Sequence, residues 1–272
     1  MPARFRRRTA LALLARGASA LALASALVGT ASAADVRVMI SAGFYGAYAE
    51  LAPAFERATG HRLMTTRGPS VGDSPEAIPT RLAKGETADV VILDDASADE
   101  LGRRGLVRPE TKVEFARSQI GMVVREGAPR PDISTVDAFR SALLAARSIG
   151  YSDSTSGTYL ATTLFAKLGV AEQVMAKSRK VRGPPSGEPV AAVVARGEVE
   201  IGFQQVSELL HVPGITFVGP IPAELQPRFA YSAALTAAAK EPDAARALVR
   251  FIASPEAAST IANAGLAPLA AR

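Results

Sequence analysis

Two loops rich in hydroxyl groups and glycine are the places where this chain could bind an anion. The first covers residues 67–75, RGPSVGDSP, and the second covers residues 152–158, SDSTSGT. Each follows an apolar segment that predicts a strand and precedes a segment that predicts a helix. Glycine lets the backbone approach a ligand, serine and threonine donate O–H groups, and a helix start supplies unpaired N–H groups at the positive end of its dipole. The two loops therefore predict two halves of one anion site.

Charged and amide side chains near these loops indicate the kind of anion. Arg67 carries a planar guanidinium with a permanent charge, which pairs with a carboxylate through two parallel hydrogen bonds. Gln204 and Gln205 add amide groups after a further apolar segment. These residue types predict a small organic acid with two or more carboxylates rather than a tetrahedral oxyanion.

Three residues in or beside the loops are candidates for proton transfer: Asp153, Tyr151 and Asp73. A crowded acidic site raises the pKa of a carboxyl group toward the range in which it both accepts and donates a proton. Hydrolase chemistry is disfavoured, because the chain has no cysteine and neither of its two histidines, His61 and His211, is placed to act as a base. No metal ion and no cofactor is expected.

Short apolar runs alternate with amphipathic runs along most of the chain. They predict strands near residues 36–40, 61–66, 88–93, 118–124, 148–151, 200–204, 216–218 and 228–235. Strands that alternate with helices indicate the α/β class, with mainly parallel sheets covered by helices on both faces. Loops after the carboxyl ends of such strands converge at a crevice. The candidate ligand-binding residues from these loops are Ser41, Gly43, Phe44, Arg67, Ser70, Ser74, Ser152, Thr155, Ser156, Gln204, Gln205 and Ser207.

Two lobes that face each other would bring these distant loops to one cleft. We expect residues 34–115 and 230–272 to form the first lobe, with residues 116–229 inserted as the second lobe. Because both lobes supply ligand groups, a hinge closure around the ligand is expected.

Residues 1–33 have the features of a secretory signal peptide. A basic start with adjacent Arg7 and Arg8 precedes an Ala/Leu-rich segment, and the sequence ASA predicts cleavage after about Ala33. The arginine pair leaves both the general and the twin-arginine export routes open. Since no later segment is long enough to span a bilayer, we expect a periplasmic protein that is not embedded in the membrane.

The formal net charge of +5 comes from the predicted signal peptide, which holds five arginines and no acidic residue. The rest of the chain is neutral overall, with charges of both signs interspersed, so no nucleic-acid partner is expected. The absence of cysteine excludes disulfides and thiolate metal sites. We expect a monomer stabilised by its apolar core.

Three segments resemble the type 2 periplasmic solute-binding proteins of ABC transporters, in particular the molybdate-binding-protein branch. They are residues 36–44, VRVMISAGF; residues 82–92, LAKGETADVVI; and residues 196–203, RGEVEIGF. The resemblance implies a two-lobed fold with a ligand cleft between the lobes. It also implies a small anionic ligand and, as partners, the membrane subunits of an ABC transporter.

The chain departs from the pattern of molybdate and tungstate binders at three positions. Gly43 stands where that branch usually has a serine, Gln205 stands where a tyrosine is common, and Arg67 adds a charge among donors that are usually uncharged. These departures favour an organic anion over molybdate or tungstate.

A narrower resemblance is to the aconitate isomerases of the same branch. It rests on residues 68–70, GPS; 77–82, AIPTRL; 151–157, YSDSTSG; and 202–209, GFQQVSEL. It implies an allylic proton shift that converts trans-aconitate to the cis isomer. The sequence favours a polycarboxylate-binding protein for ABC-type uptake, with an aconitate isomerase as the alternative. A ligand-gated signalling protein would have the same sequence features as the uptake protein, so this class stays open.

Overall fold

The computed structural model describes residues 33–210 and 212–269. Residues 1–32, which carry nearly all of the predicted signal peptide, lie outside the described residues, as does His211. Within the described ranges no helix combines the length and the apolar character needed to cross a membrane.

Strands and helices alternate along the chain. The strands are β1 (Asp35–Ile40), β2 (Arg62–Arg67), β3 (Val90–Asp94), β4 (Val113–Ser118), β5 (Ile120–Arg125), β6 (Ile149–Ser152), β7 (Ser178–Val181), β8 (Ile201–Gln205), β9 (Ile215–Pro220), β10 (Phe229–Leu235) and β11 (Ala267–Pro268). The helices are α1 (Ala42–Thr59), α2 (Ile78–Ala83), α3 (Asp95–Arg103), α4 (Val136–Ala145), α5 (Thr155–Tyr159), α6 (Phe165–Lys167), α7 (Ala171–Met175), α8 (Val190–Ala195), α9 (Val206–Leu209), α10 (Pro242–Ile252) and α11 (Ala258–Asn263). A π-helical turn, Leu160–Leu164, joins α5 to α6.

The first sheet has the strand order β11-β4-β10-β3-β1-β2. β1 pairs in parallel with β2 and β3, whereas β10 runs antiparallel to β3 and β4. Alternate residues of β1 serve two cores: Val36, Val38 and Ile40 pack with α1, α10 and α11, and Met39 packs with α2 and α3. Helices therefore cover both faces, as the continuous apolar strands predicted.

The second sheet has the order β7-β6-β8-β5-β9. β6 pairs in parallel with β7 and β8, and β5 runs antiparallel to β8 and β9. One apolar core lies against α4, α7 and the helical segment from α5 to α6, and a second core lies against α8 and α9. Each sheet thus has its own pair of cores, which confirms the predicted α/β class and the two-lobed architecture.

The chain changes sheets twice. Gln119 separates β4 of the first sheet from β5 of the second, and the segment between β9 and β10 leads back. The predicted lobe limit after residue 115 falls inside β4, because this strand continues to Ser118. The first strand after each change of sheet, β5 or β10, runs against the parallel strands of its sheet, and the short β11 has the same direction as β10.

Candidate functional site

A cleft lies between the two sheets, where the ends of β1, β2, β6 and β8 meet the start of β10. Its lining residues are Ser41, Ala42, Gly43, Gly68, Pro69, Ser70, Ser152, Asp153, Ser154, Thr155, Gly183, Pro184, Gln204, Gln205, Glu208 and Tyr231. Both sheets contribute to this set, so the predicted convergence of loops at the carboxyl ends of parallel strands is observed.

Ser41 is the N-cap residue of α1 and lies in the first wall of the cleft. It is 5% exposed, and its Oγ has no hydrogen-bond partner among the described residues. The side chain does not cap the helix, although serine at this position usually does. A buried hydroxyl group without a hydrogen-bond partner lowers the free energy of unfolding by roughly 1–3 kcal/mol. The start of the 18-residue helix α1 also carries a partial positive charge. A ligand oxygen with negative charge would satisfy both groups.

The loop after β6 forms a cluster of three hydroxyl groups in the opposite wall. Ser152 Oγ lies 2.7 Å from Ser154 Oγ and 3.2 Å from Ser156 Oγ. Ser70, from the first sheet, accepts a hydrogen bond at Oγ from the Asp94 N–H over 3.3 Å, so its own proton is free to be donated. The walls therefore offer neutral hydrogen-bond donors from both sheets.

Among the described residues, three hydrogen bonds connect the two sides at the centre of the cleft. Thr155 Oγ1 donates to Asp94 Oδ2 at 3.2 Å, and Ser207 Oγ donates to the Gly43 carbonyl at 2.6 Å. The Tyr231 hydroxyl donates to Gln205 Oε1 at 2.6 Å. Because Oε1 of Gln205 is engaged in this way, the group that Gln205 can offer a ligand is its amide N–H₂.

Tyr231 leaves no room for a side chain at position 43, the second residue of α1. A Cβ atom on Gly43 would lie 1.7 Å from the Tyr231 hydroxyl oxygen and 2.8 Å from its Cζ. The tyrosine hydroxyl, which comes from β10, occupies the space that a side chain at position 43 would need. The cleft therefore has a tyrosine hydroxyl next to Gly43, the position at which the molybdate-binding branch usually has a serine.

Glu208 is a carboxyl group in the cleft wall. Its Oε2 accepts a hydrogen bond from Gln204 Nε2 at 2.7 Å, and Gln204 Oε1 in turn accepts one from the Val190 N–H at 3.0 Å. Burial raises the pKa of Glu208 to about 7, and the negative charge of Asp153 acts in the same direction; the hydrogen bond from Gln204 and the positive charge of Arg67 act in the opposite direction. The cleft thus contains a carboxyl group that changes charge near neutral pH.

Tyr231 and Asp153 are the other titratable residues in the described cleft lining. Burial, with the nearby charges of Glu208 and Asp94, raises the pKa of Tyr231 well above its usual value. The Asp153 carboxylate accepts a hydrogen bond at Oδ1 from the Gly183 N–H at 3.0 Å. The tyrosine therefore stays a neutral hydroxyl donor, and Asp153 is fixed to the adjacent loop.

The structure brings most of the predicted site residues together. Those that line the cleft are Ser41, Gly43, Ser70, Ser152, Asp153, Thr155, Gln204 and Gln205. Ser156 and Ser207 do not line it but support it, since Ser156 holds the hydroxyl cluster and Ser207 binds the Gly43 carbonyl.

Several expected positions are corrected. Phe44 is fully buried in the first core, with its ring centroid 4.6 Å from that of Phe115, and Tyr151 packs in a core of the second sheet. Their apolar ring surface is better stabilised there than at a polar cleft. Asp73 is exposed and neither it nor Ser74 lines the cleft, because the chain turns at Gly72, whose φ is +96°.

Arg67 lies beside the cleft without lining it. Its Cζ is 4.0 Å from the centroid of the Tyr45 ring, a cation–π contact, and its buried Nε has no hydrogen-bond partner among the described residues. Its role as a carboxylate-binding residue stays a prediction.

Sequence reasoning missed Glu208 and Tyr231 as site residues. Glu208 lies on the four-residue helix α9, directly after the predicted amide pair Gln204 and Gln205. An acidic residue this close to predicted anion donors is a sequence signal that could have identified it as a residue of the cleft. Tyr231 had no such signal, because only the reversed pairing of β10 with β3, which places it opposite Asp94, brings it to the cleft.

Residues 36–267 match the family model of the bacterial extracellular solute-binding proteins. The match covers most of the chain, both sheets and the whole cleft, so the chain belongs to this family.

The chain is similar to two curated proteins over nearly its full length. It is 45% identical over 262 residues to an aconitate isomerase from a Pseudomonas species, covering 96% of this chain and 98% of that protein. It is 26% identical over 260 residues to the molybdate-binding protein of Azotobacter vinelandii, covering 92% of this chain and 94% of that protein. The solved periplasmic molybdate-binding protein of A. vinelandii shares the fold, with a TM-score of 0.68 and 21% identity over 85% of this chain and 98% of that one. The resemblance to the molybdate-binding branch and to aconitate isomerases is confirmed.

Proposed function

We propose that this protein binds aconitate, a small tricarboxylate, in its cleft and interconverts the trans and cis isomers by an allylic proton shift. The observation that supports this choice most is the 45% identity to an aconitate isomerase, which extends over both lobes and not over one segment alone. The sequence alone favoured uptake as the function; this identity is the reason to put isomerisation first.

The donor set of the cleft supports an anionic ligand. Hydrogen-bond donors from several elements face the same cleft. They are Ser41 Oγ, the start of α1, the Ser152 hydroxyl cluster and the amide of Gln205. No lysine or arginine belongs to the described lining of the cleft. Neutral hydrogen-bond donors and the dipole of α1 therefore contribute most of the attraction to an anion, and Arg67 adds positive charge from beside the cleft. Several carboxylates on one ligand suit donors that come from two facing walls.

The two-sided cleft also supports chemistry on the ligand. An allylic shift removes a proton from the methylene carbon and returns one to the far carbon of the double bond, and the charge that develops must be held in between. Fixed hydroxyl, amide and backbone donors in a site shielded from water stabilise such a charge. The cleft has donors of this kind and carboxyl groups as proton acceptors.

Transport is the second candidate function, and membership of the solute-binding family supports it. On this reading the protein resides in the periplasm, captures the same polycarboxylate and delivers it to the membrane subunits of an ABC transporter. A protein that binds trans-aconitate and returns it unchanged would be of this kind.

Removal of the unpaired Ser41 hydroxyl tests the binding site. We expect Ser41→Ala to weaken trans-aconitate binding roughly tenfold or more in calorimetric titrations, because a hydrogen bond to a charged group contributes roughly 1.5–3 kcal/mol. Ser118→Ala is the matched control, since Ser118 is equally buried with an unpaired hydroxyl but lies outside the cleft lining. Equal affinities for the two variants, or tight molybdate binding with no heat from trans-aconitate, would contradict the proposal.

A further inference from the structure

Anion binding alone does not account for Glu208. The other groups of the cleft attract anions, whereas a charged carboxylate repels an anionic ligand. This repulsion is weakest when the carboxyl group is protonated and therefore neutral. Glu208 nevertheless lines the cleft, on the short helix α9 that directly follows the amide pair of β8.

The position of the Glu208 carboxyl group is fixed by Gln204. The Val190 N–H at the start of α8 donates to Gln204 Oε1, so the amide cannot flip, and Nε2 must face Glu208. This clamp uses one carboxylate oxygen, Oε2, and leaves Oε1 for another contact. Such an orientation is what a group that exchanges protons with a bound ligand needs.

We propose that the Glu208 carboxyl group is the proton carrier of the allylic shift, a role that rests on the proposed isomerisation of aconitate. Glu208 removes a proton from the methylene carbon of trans-aconitate, and the electrons of that C–H bond form the new double bond. The electrons of the old double bond take a proton from Glu208 at the far carbon. The carboxylate is regenerated, and neither the charge nor the oxidation state of the ligand changes.

The charged and titratable groups around Glu208 suit this role. Arg67 from β2 stabilises its charged form, Asp153 from the loop after β6 opposes it, and the Tyr231 hydroxyl from β10 stays neutral. With a pKa of about 7, both forms of Glu208 are populated at neutral pH, so the group both accepts and returns a proton. Tyr231 is a poor base by comparison because its pKa is raised and its proton is donated to Gln205.

Glu208→Gln tests the inference, because glutamine keeps the shape and still accepts the Gln204 hydrogen bond but cannot remove a proton. We expect kcat for trans-aconitate to fall at least a hundredfold, with calorimetric affinity unchanged or higher. In the wild type, kcat/KM should fall as the pH drops below about 7, where Glu208 becomes protonated. Glu172→Gln, an exposed position on α7, is the control and should behave as wild type.

The outcomes separate this role from the proposed function. If the wild type converts trans-aconitate and Glu208→Gln keeps more than a hundredth of the rate or the same pH profile, the role of Glu208 is overturned while the isomerase function stands. If the wild type binds trans-aconitate but forms no cis isomer, the isomerase function itself is wrong, and the role of Glu208 is excluded with it.

Discussion

Arg67 places a positive charge beside the cleft, although its guanidinium does not belong to the cleft lining. A guanidinium near serine-rich loops predicted a direct carboxylate contact, yet the side chain stacks on Tyr45 and lies beside the cleft. Its charge still acts on the site, because it lowers the pKa of Glu208 against the effect of burial. A long side chain reaches several places from one Cα position, so sequence patterns predict its neighbourhood better than its contact.

Replacement of Arg67 by alanine should weaken trans-aconitate binding roughly tenfold or more, since the ligand loses an attraction to a fixed positive charge in a partly buried place. Arg62→Ala is the matched control, because Arg62 lies on the same strand but is exposed and paired with Asp35 at 2.7 Å. Calorimetric titration of both variants measures the difference. An affinity equal to that of Arg62→Ala would show that Arg67 serves only to pack against Tyr45.

Helix α1 is the element that connects the first core to the cleft. Its inner face packs Phe44, Tyr48, Leu51 and Phe55 against the first sheet, and this burial fixes its N-terminus at the site. The spacing of Leu51, Phe55 and Ala58 predicts a helix that ends near Thr59, whereas the contact between Gly43 and Tyr231 could not be predicted. That contact depends on the reversed direction of β10, which the apolar pattern of a strand does not encode.

A methyl group at Gly43 tests the close approach of α1 to β10. We expect Gly43→Ala to lower the free energy of unfolding by about 1–3 kcal/mol, because the Cβ would overlap the Tyr231 hydroxyl. Gly46→Ala is the control on the same helix, where a Cβ meets nothing within 4 Å, and it should be neutral or stabilising by up to about 1 kcal/mol. Denaturant unfolding of both variants measures this. Equal stabilities would mean that α1 and β10 are less tightly packed than described.

At the scale of the whole molecule, hydrogen bonds and an ion pair connect the two walls of the cleft, both at its centre and at its rim. Besides the three bonds at its centre, Glu76 Oε2 at the rim accepts a hydrogen bond from Ser186 Oγ at 2.5 Å and lies 3.5 Å from Arg182 Nη2. Surface ion pairs of this kind contribute little to stability and break readily. A cleft that opens to admit a ligand and closes over it suits both capture of an anion and chemistry shielded from water.

The family fold is compatible with transport and with catalysis, so the decision rests on what happens to the ligand. The most direct measurement is proton NMR of trans-aconitate incubated at neutral pH with the purified protein lacking residues 1–33. We predict that cis-aconitate appears and that the mixture reaches the same isomer ratio from either starting isomer, at a rate proportional to protein concentration. Trans-aconitate that binds, as shown by calorimetry of the same preparation, but stays unchanged over hours would contradict the account.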